Sequence, residues 1–462
     1  MGSHRKAKGY LLSSDIPIHE ENPFASTRLL MSEAASPREL RSAPSRLYRW
    51  VVLLFVSLAM FGNYYFYDAL SPLADVLQKQ LHFSDKNIGL LNSFYSIAPI
   101  GTVLIGGFII DRIGTRKATL LFGVICLIGA IVTAWTPIFW VMASGRLIFG
   151  MGAESLIVAV TTALAKWFKG KELSFAFGIN LMISRFGTWL AQNSPTWAQS
   201  AYSNWQKPWL IGVGFVTLCV IGPVFYWILE ARAERRYELG QAGQTDKVVA
   251  SDILKFGTSY WYLVALCVLF YSAIFPFETF AVKFFMDAHH TSRELGGFVL
   301  SVLTGFTMFG TPAFGLVADK IGKRALLMMG GSALLIPAFL TMAYSQVSLY
   351  FPMAMMGVAF ALVPAVIWPS VAYIVDQKTL GTAYGLMTMI QNIGLAGFNF
   401  VLGWANDTSQ AGPHNPAGYT LMLQILSALG LAAMVFAILL RRRETGSQGH
   451  GLETITTASA VG

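Results

Sequence analysis

"GGFIIDRIGTRKA" at residues 106–118 returns, with few changes, as "FGLVADKIGKRA" at residues 314–325. Asp111 aligns with Asp319, Gly114 with Gly322, and Arg116 with Lys323 or Arg324. The first copy falls between the second and third long apolar runs of the chain, and the second copy between the eighth and ninth. The same polar hairpin therefore occupies the same place in two six-run halves. Such duplication is a mark of transporters that rock two bundles about a central site. Taken singly, each hairpin reads as a solvated loop that sets topology. Taken as a pair, they point to a gate. Asp111 and Asp319 would face neighbouring helix N-termini, and Arg112, Arg116, Lys323 and Arg324 would lock the ends of the bundles together.

Composition agrees with a membrane chain. Of 462 residues, 55% are hydrophobic and 12% charged, about half the charge of a soluble globular domain. The formal net charge of +9 does not point to nucleic acid, because the basic residues gather in short breaks between apolar runs, as in cytoplasmic loops beside anionic headgroups. Twelve runs are long enough to span hydrocarbon: 50–71, 87–110, 118–136, 138–165, 172–194, 208–230, 259–285, 295–318, 325–343, 349–375, 380–404 and 418–440. They are continuous and lack strict alternation, which excludes a β-barrel. Basic clusters occupy every second loop, so both termini are expected in the cytoplasm. Cys126, Cys219 and Cys267 lie inside apolar runs and read as small buried hydrophobes.

The expected organisation is all-α, with twelve transmembrane helices in two pseudo-symmetric six-helix bundles. Residues 1–45 form a disordered cytoplasmic tail, 46–230 the N-terminal bundle, 231–257 a charged linker, 258–441 the C-terminal bundle, and 442–462 a second disordered tail. "ENPF" and Leu29–Leu30 in the first tail are candidate sorting signals. The sequon at Asn406 lies so near the end of a span that glycosylation is not expected there. His289 and His290 form an isolated pair with no third metal ligand beside them, and no P-loop is present. No cofactor and no enzymatic activity are expected.

Two opposite charges interrupt the membrane core. Glu154 lies about 18 Å from the cytoplasmic end of the fourth run, and Arg185 roughly 20 Å from that of the fifth. Charges at such depth must face protein or a wet cavity. A dipeptide is a small zwitterion whose ammonium suits Glu154 and whose carboxylate suits the Arg185 fork. The bland alternative is a Glu154–Arg185 ion pair that holds the bundle together, and a third is proton coupling through Glu154. Asn180, Gln391, Asn392, Tyr64, Tyr67 and Glu278 are further polar candidates at cavity depth. Trp368 is an inner aromatic wall or an interfacial tryptophan, and Arg146 braces helices near the cavity roof. A proton-coupled organic-anion or small-metabolite carrier and a non-transporting receptor remain as alternatives. The mixed charge of the central pair suits zwitterions better than anions.

The hairpins resemble the signature loop of the major facilitator superfamily, through Gly107, Asp111, Arg112, Gly114, Arg116 and Lys117, and "GRLIFGMG" at 145–152 resembles its fourth-helix pattern. "YYFYDALSPL", "WFKGKELSFAFG", "FPFETF", "VIWPSVAYIV" and "LGTAYGLMTMIQNIGLA" extend the resemblance, from Tyr48 to about Leu440, to the lysosomal dipeptide transporters within that superfamily. The resemblance implies the major facilitator fold and dipeptide export by alternating access, with the matching glutamate and arginine at the substrate. For a eukaryotic host it also implies a single-span glycosylated accessory protein. The chain departs from these relatives in its first tail, where Leu11–Leu12 and Leu29–Leu30 lack an acid four residues before. A lysosomal, plasma or bacterial inner membrane all remain open. The missing first-helix "ExxER" pattern of proton-coupled peptide carriers favours a uniporter.

Overall fold

The computed structural model describes residues 44–168, 172–237, 253, 255–376 and 379–456. The first tail through residue 43, residues 238–252 of the expected linker and residues 457–462 lie outside the described residues. Long helices make up most of what is described. The first six are α1 (Arg46–Asp68), α2 (Asp85–Ile113), α3 (Thr115–Trp135), α4 (Phe139–Phe168), α5 (Leu173–Gln192) and α6 (Gln206–Val216, continued by Leu218–Arg236). The C-terminal set comprises α7 (Thr258–His289), α8 (Arg293–Ile321), α9 (Arg324–Tyr344), α10 (Tyr350–Ile374), α11 (Leu380–Thr408) and α12 (Tyr419–Glu444).

By length and composition, ten membrane-crossing helices are found among the described residues, or eleven if the bent α2 is counted as one span. Twelve were expected from the apolar runs. The helix that falls short is α5, because Asn180, Arg185 and Gln192 interrupt its apolar run. Local signals set the helix starts. Ser45, Ser84 and Ser292 accept hydrogen bonds from the N–H groups of Tyr48, Asn87 and Leu295 at 3.3, 3.3 and 3.1 Å, which satisfies donors the helix itself leaves free. The duplicated hairpins turn on Gly114 and Gly322, with φ of 82° and 66°, a region that side chains with a Cβ avoid.

Within the N-terminal set, α2 and α3 pack on α4, while α5 and α6 pack on α1. Within the C-terminal set, α7 and α9 pack on α12, and α8 and α9 on α10. Two seams join the sets, α2 against α11 and α5 against α8. Shifting α2 and α5 by six helices gives α8 and α11, so one seam is the duplicate of the other. Leu121, Val124, Ile128 and Ile131 form an exposed stripe along α3 at helical spacing. Such an apolar outer face suits lipid and would be costly in water. The chain is a multi-pass integral membrane protein.

The described bonds between the sets gather at the end opposite the hairpins, the far end. Lys283 of α7 pairs with Asp85 of α2 at 2.9 Å, the side chains 3% and 2% exposed. Arg293 pairs with Asp75 at 2.6 Å. The Asp407 carboxylate accepts the N–H groups of Asp85 and Lys86 at 2.9 and 3.0 Å. Below these, Asn92 donates to Thr279 at 2.7 Å, and Thr304 to Gln192 at 2.7 Å. At the hairpin end the described bonds stay within each set, as with Lys166–Glu230 at 2.9 Å and Arg116–Glu234 at 2.7 Å.

The second tail departs from the disorder expected after residue 441. Helix α12 runs on to Glu444, and residues to Thr456 then fold back onto the second hairpin. Leu452 is fully buried. The Glu453 carboxylate accepts the N–H groups of Ala325 and Leu326 at 2.7 and 3.3 Å, and the Ile455 carbonyl accepts from Arg324 at 2.6 Å. An acid at the start of α9 satisfies free N–H groups and complements the helix dipole, which orders the segment. Asn406, the sequon residue, is buried with its amide against Met422 Sδ at 3.5 Å, so it is packed away from modification.

Candidate functional site

A cavity of about 440 Å³ lies between the two sets below the far-end bonds. Its N-terminal wall is made by Asn63, Tyr64 and Tyr67 of α1, Tyr95 of α2, Glu154 and Ile157 of α4, and Leu181 and Arg185 of α5. Its C-terminal wall is made by Tyr271 and Phe275, Thr307 and Thr311, Phe360, Pro364 and Trp368, and Thr388, Gln391, Asn392 and Leu395. Apart from the lone Tyr95 and the adjacent pairs Asn63–Tyr64 and Gln391–Asn392, these residues recur at spacings of three or four, the stripe that one face of an α-helix presents. Seven expected residues thus converge: Glu154, Arg185, Gln391, Asn392, Tyr64, Tyr67 and Trp368.

The two central charges face the cavity separately. Glu154 Oε1 accepts a hydrogen bond from the Tyr95 hydroxyl at 2.9 Å. The Arg185 guanidinium lies 5.4 Å from the ring centre of Tyr64 and 5.1 Å from that of Phe360. Among the described residues no ion pair joins Glu154 to Arg185, and no hydrogen bond uses the Arg185 fork. Arg146 differs. It is fully buried and donates to the carbonyls of Phe66 and Tyr67 at 3.3 and 3.4 Å and to Asn92 Oδ1. One arginine uses its two terminal nitrogens to brace α1 and α2; the other presents its fork to the cavity.

Two expected contributors stand outside the wall. Asn180 is bonded by the Ser57 hydroxyl at 3.0 Å. It precedes Arg185 by five residues, about 140° around a helix, so the two cannot share a face, whereas Leu181, four before Arg185, does line the cavity. Glu278 follows the Tyr271–Phe275 stripe one turn too far. It is 5% exposed and lies above the cavity, in the field of Asp68 and Arg185. Residues that sequence reasoning missed include Tyr95, Asn63, Tyr271 and Phe360. Each is aromatic or amide in an otherwise apolar run, but nothing in such a run marks which face is inward.

Trp368 Nε1 donates to the Tyr271 hydroxyl at 2.8 Å, and its ring stacks on Tyr384 at 6.2 Å, so it is a wall residue. Gln391 Oε1 accepts from Cys267 Sγ at 3.7 Å, and Asn392 donates to the Thr388 carbonyl at 3.0 Å. Among the expected gating residues, Asp111 and Arg112 are exposed at the end of α2. Arg324 pairs with Asp319 at 3.1 Å, and Lys323 takes a left-handed φ of 49°. Arg116 and Arg324 therefore brace their own sets; a lock between the sets is not among the described bonds, because those gather at the far end. No group of three His, Cys, Asp or Glu residues that could hold a metal occurs among the described residues.

The model of the Major Facilitator Superfamily matches residues 56–398. The lysosomal dipeptide transporter MFSD1 of Homo sapiens is 31% identical over 427 residues, covering 88% of this chain and 90% of that protein. Its Mus musculus counterpart is 32% identical over 436 residues, covering 90% and 92%. Among solved structures, the nucleoside transporter NupG superposes with a TM-score of 0.67 at 14% identity, covering 86% of this chain and 100% of that one. A bacterial homologue of the human lysosomal transporter Spinster, inward-facing and occupied, gives 0.66 at 17% identity, covering 86% and 98%. These two likenesses speak for the fold alone. The family model and the relatives agree that the chain is a membrane transporter and not an enzyme: it belongs to the Major Facilitator Superfamily.

Proposed function

We propose that this chain carries dipeptides across a membrane by alternating access, as a uniporter. The ammonium of the dipeptide pairs with Glu154 and its carboxylate with Arg185, while Gln391 and Asn392 face the peptide bond from the other wall. The observation that carries this reading is that Glu154 and Arg185 line one cavity with no ion pair between them. Each charge keeps its valence for a ligand, and a zwitterion neutralises both. The volume of about 440 Å³ falls in the range of small-molecule sites, roughly 300–1,000 Å³. An anion carrier would have to neutralise the Glu154 carboxylate with a proton, whereas the ammonium of a zwitterion pairs with it directly.

In this reading twelve spans form two pseudo-symmetric six-helix bundles, 46–230 and 258–441, joined by the linker 231–257, with both termini cytoplasmic. The far end is then the lumenal or external side, and it is held closed by the bonds between the sets. Asp111, Arg112, Arg116, Asp319, Lys323 and Arg324 belong to the cytoplasmic gate, which forms cross-set contacts when that side closes. Similarity to the lysosomal relatives supports a lysosomal membrane in a eukaryotic host; a glycosylated single-span partner there is a further part of the reading. The test is a thermal-shift screen of purified protein against dipeptides, single amino acids, tripeptides and dicarboxylates, followed by counterflow in liposomes. Dipeptides should raise the melting temperature in a concentration-dependent way, and their counterflow should persist with a protonophore present. A shift with dicarboxylates alone would replace this reading with the anion carrier.

A further inference from the structure

We infer that Phe360 is a positioning residue for Arg185, the means by which the C-terminal set takes part in holding a ligand carboxylate. The inference rests on the function proposed above and adds to it. Arg185 belongs to α5 of the N-terminal set, and its guanidinium lies over two rings. Tyr64, at 5.4 Å, comes from the same set, and Phe360, at 5.1 Å, comes from α10 of the other. A guanidinium placed over ring faces is attracted by their quadrupoles while its N–H edges stay free. That matches Arg185, whose fork has no hydrogen-bond partner among the described residues.

Phe360 is itself held in place. It is 2% exposed, and Tyr271 and Phe275 meet it edge to face, at 5.9 Å and 85° and at 5.4 Å and 87°. Tyr271 is fixed in turn by the hydrogen bond from Trp368 Nε1 at 2.8 Å. The ring behind Arg185 is therefore part of a rigid aromatic cluster built wholly from the C-terminal set. Because guanidinium and ring lie on opposite sets, any rocking of the sets about the cavity alters their contact. Arg185 is held for a carboxylate in the far-end-closed arrangement and is less constrained once the sets have rocked. A carrier that must release its cargo gains from such a difference.

The experiment measures binding and counterflow of a dipeptide and of its C-amidated analogue in the parent, Phe360→Leu and Phe360→Tyr proteins. Leucine keeps apolar bulk and removes the ring face; tyrosine restores the face. The intact dipeptide should bind Phe360→Leu about five- to thirtyfold more weakly, the scale of a partly desolvated cation–π contact. The amidated analogue should change less than about twofold, and Phe360→Tyr should recover most of the parent affinity. In transport the change should appear in KM with kcat nearly kept. Equal losses for both ligands, or loss without rescue by tyrosine, would overturn the inference while leaving the proposed function standing. No dipeptide binding by the parent would overturn both. If Phe360→Leu is not recovered folded, Phe360→Met gives the same comparison.

Discussion

Replacing Lys283 with methionine should open the far end. The Lys283–Asp85 pair spans the two sets at 2.9 Å with side chains 3% and 2% exposed. Breaking a buried pair from one side costs about 3–5 kcal/mol, because an uncompensated charge stays buried. Asp85 keeps a hydrogen bond from Gln78 at 2.8 Å, so the lower figure applies. The share that comes from Asp85 falls on the closed far end, since opening returns Asp85 to water; the contacts of Lys283 with Asp287 and Tyr419 lie within its own set and are lost in both states. About 3 kcal/mol moves the equilibrium roughly a hundredfold toward the far-end-open state. Spin labels at Ser203 and Gln410, exposed far-end positions on opposite sets, would report this as a longer inter-label distance. The native cysteines Cys126, Cys219 and Cys267 are buried and should stay unlabelled. Combining Lys283→Met with Asp85→Asn removes both charges and should restore much of the short-distance population. A single variant with the parent's distances, or a double variant as open as the single, would refute the reasoning.

Three further outcomes are expected. Gly89→Ala should also favour the open far end in the same distance assay, because a Cβ there collides with the Asn399 carbonyl across the seam. Glu453→Gln, which weakens the acceptor at the start of α9, should lower stability by about 0.5–2 kcal/mol, seen as a lower melting temperature with dipeptide affinity unchanged. Asp111→Lys should slow counterflow by about tenfold or more while affinity changes by less than about threefold, because a gate residue acts on the transition between states; equal losses in rate and affinity would remove it from the gate.

The duplicated hairpins were legible in the sequence because Gly114 and Gly322 must adopt positive φ and because polar loops stand out against apolar runs. The depth of Glu154 and Arg185 was legible by counting residues. Their shared cavity was not, since an apolar helix with no polar face leaves its inward side unmarked. For the same reason Asn180 and Leu181 exchange the roles their chemistry suggests: the amide bonds Ser57 and the leucine lines the cavity. Helix α5 falls short on apolarity because it carries the arginine of the site. The folded second tail was hidden for another reason. Glu453 is one acid in a polar stretch, and only the fold brings it to the first turn of α9.

A dipeptide that bridges Glu154 and Arg185 can be tested at both of its ends. Glu154→Gln and Arg185→Lys should each weaken dipeptide binding by about 1.5–3 kcal/mol, the scale of a charged hydrogen bond. An N-acetylated dipeptide should bind the parent poorly and lose little more in Glu154→Gln, since its ammonium is already gone. A C-amidated dipeptide should behave in the same way with Arg185→Lys. Isothermal titration of the parent and both variants with all three ligands therefore should give losses that depend on which end of the ligand is intact. Similar losses for every ligand in both variants, with lower heat stability of the empty proteins, would instead make the two charges structural and contradict the bridge.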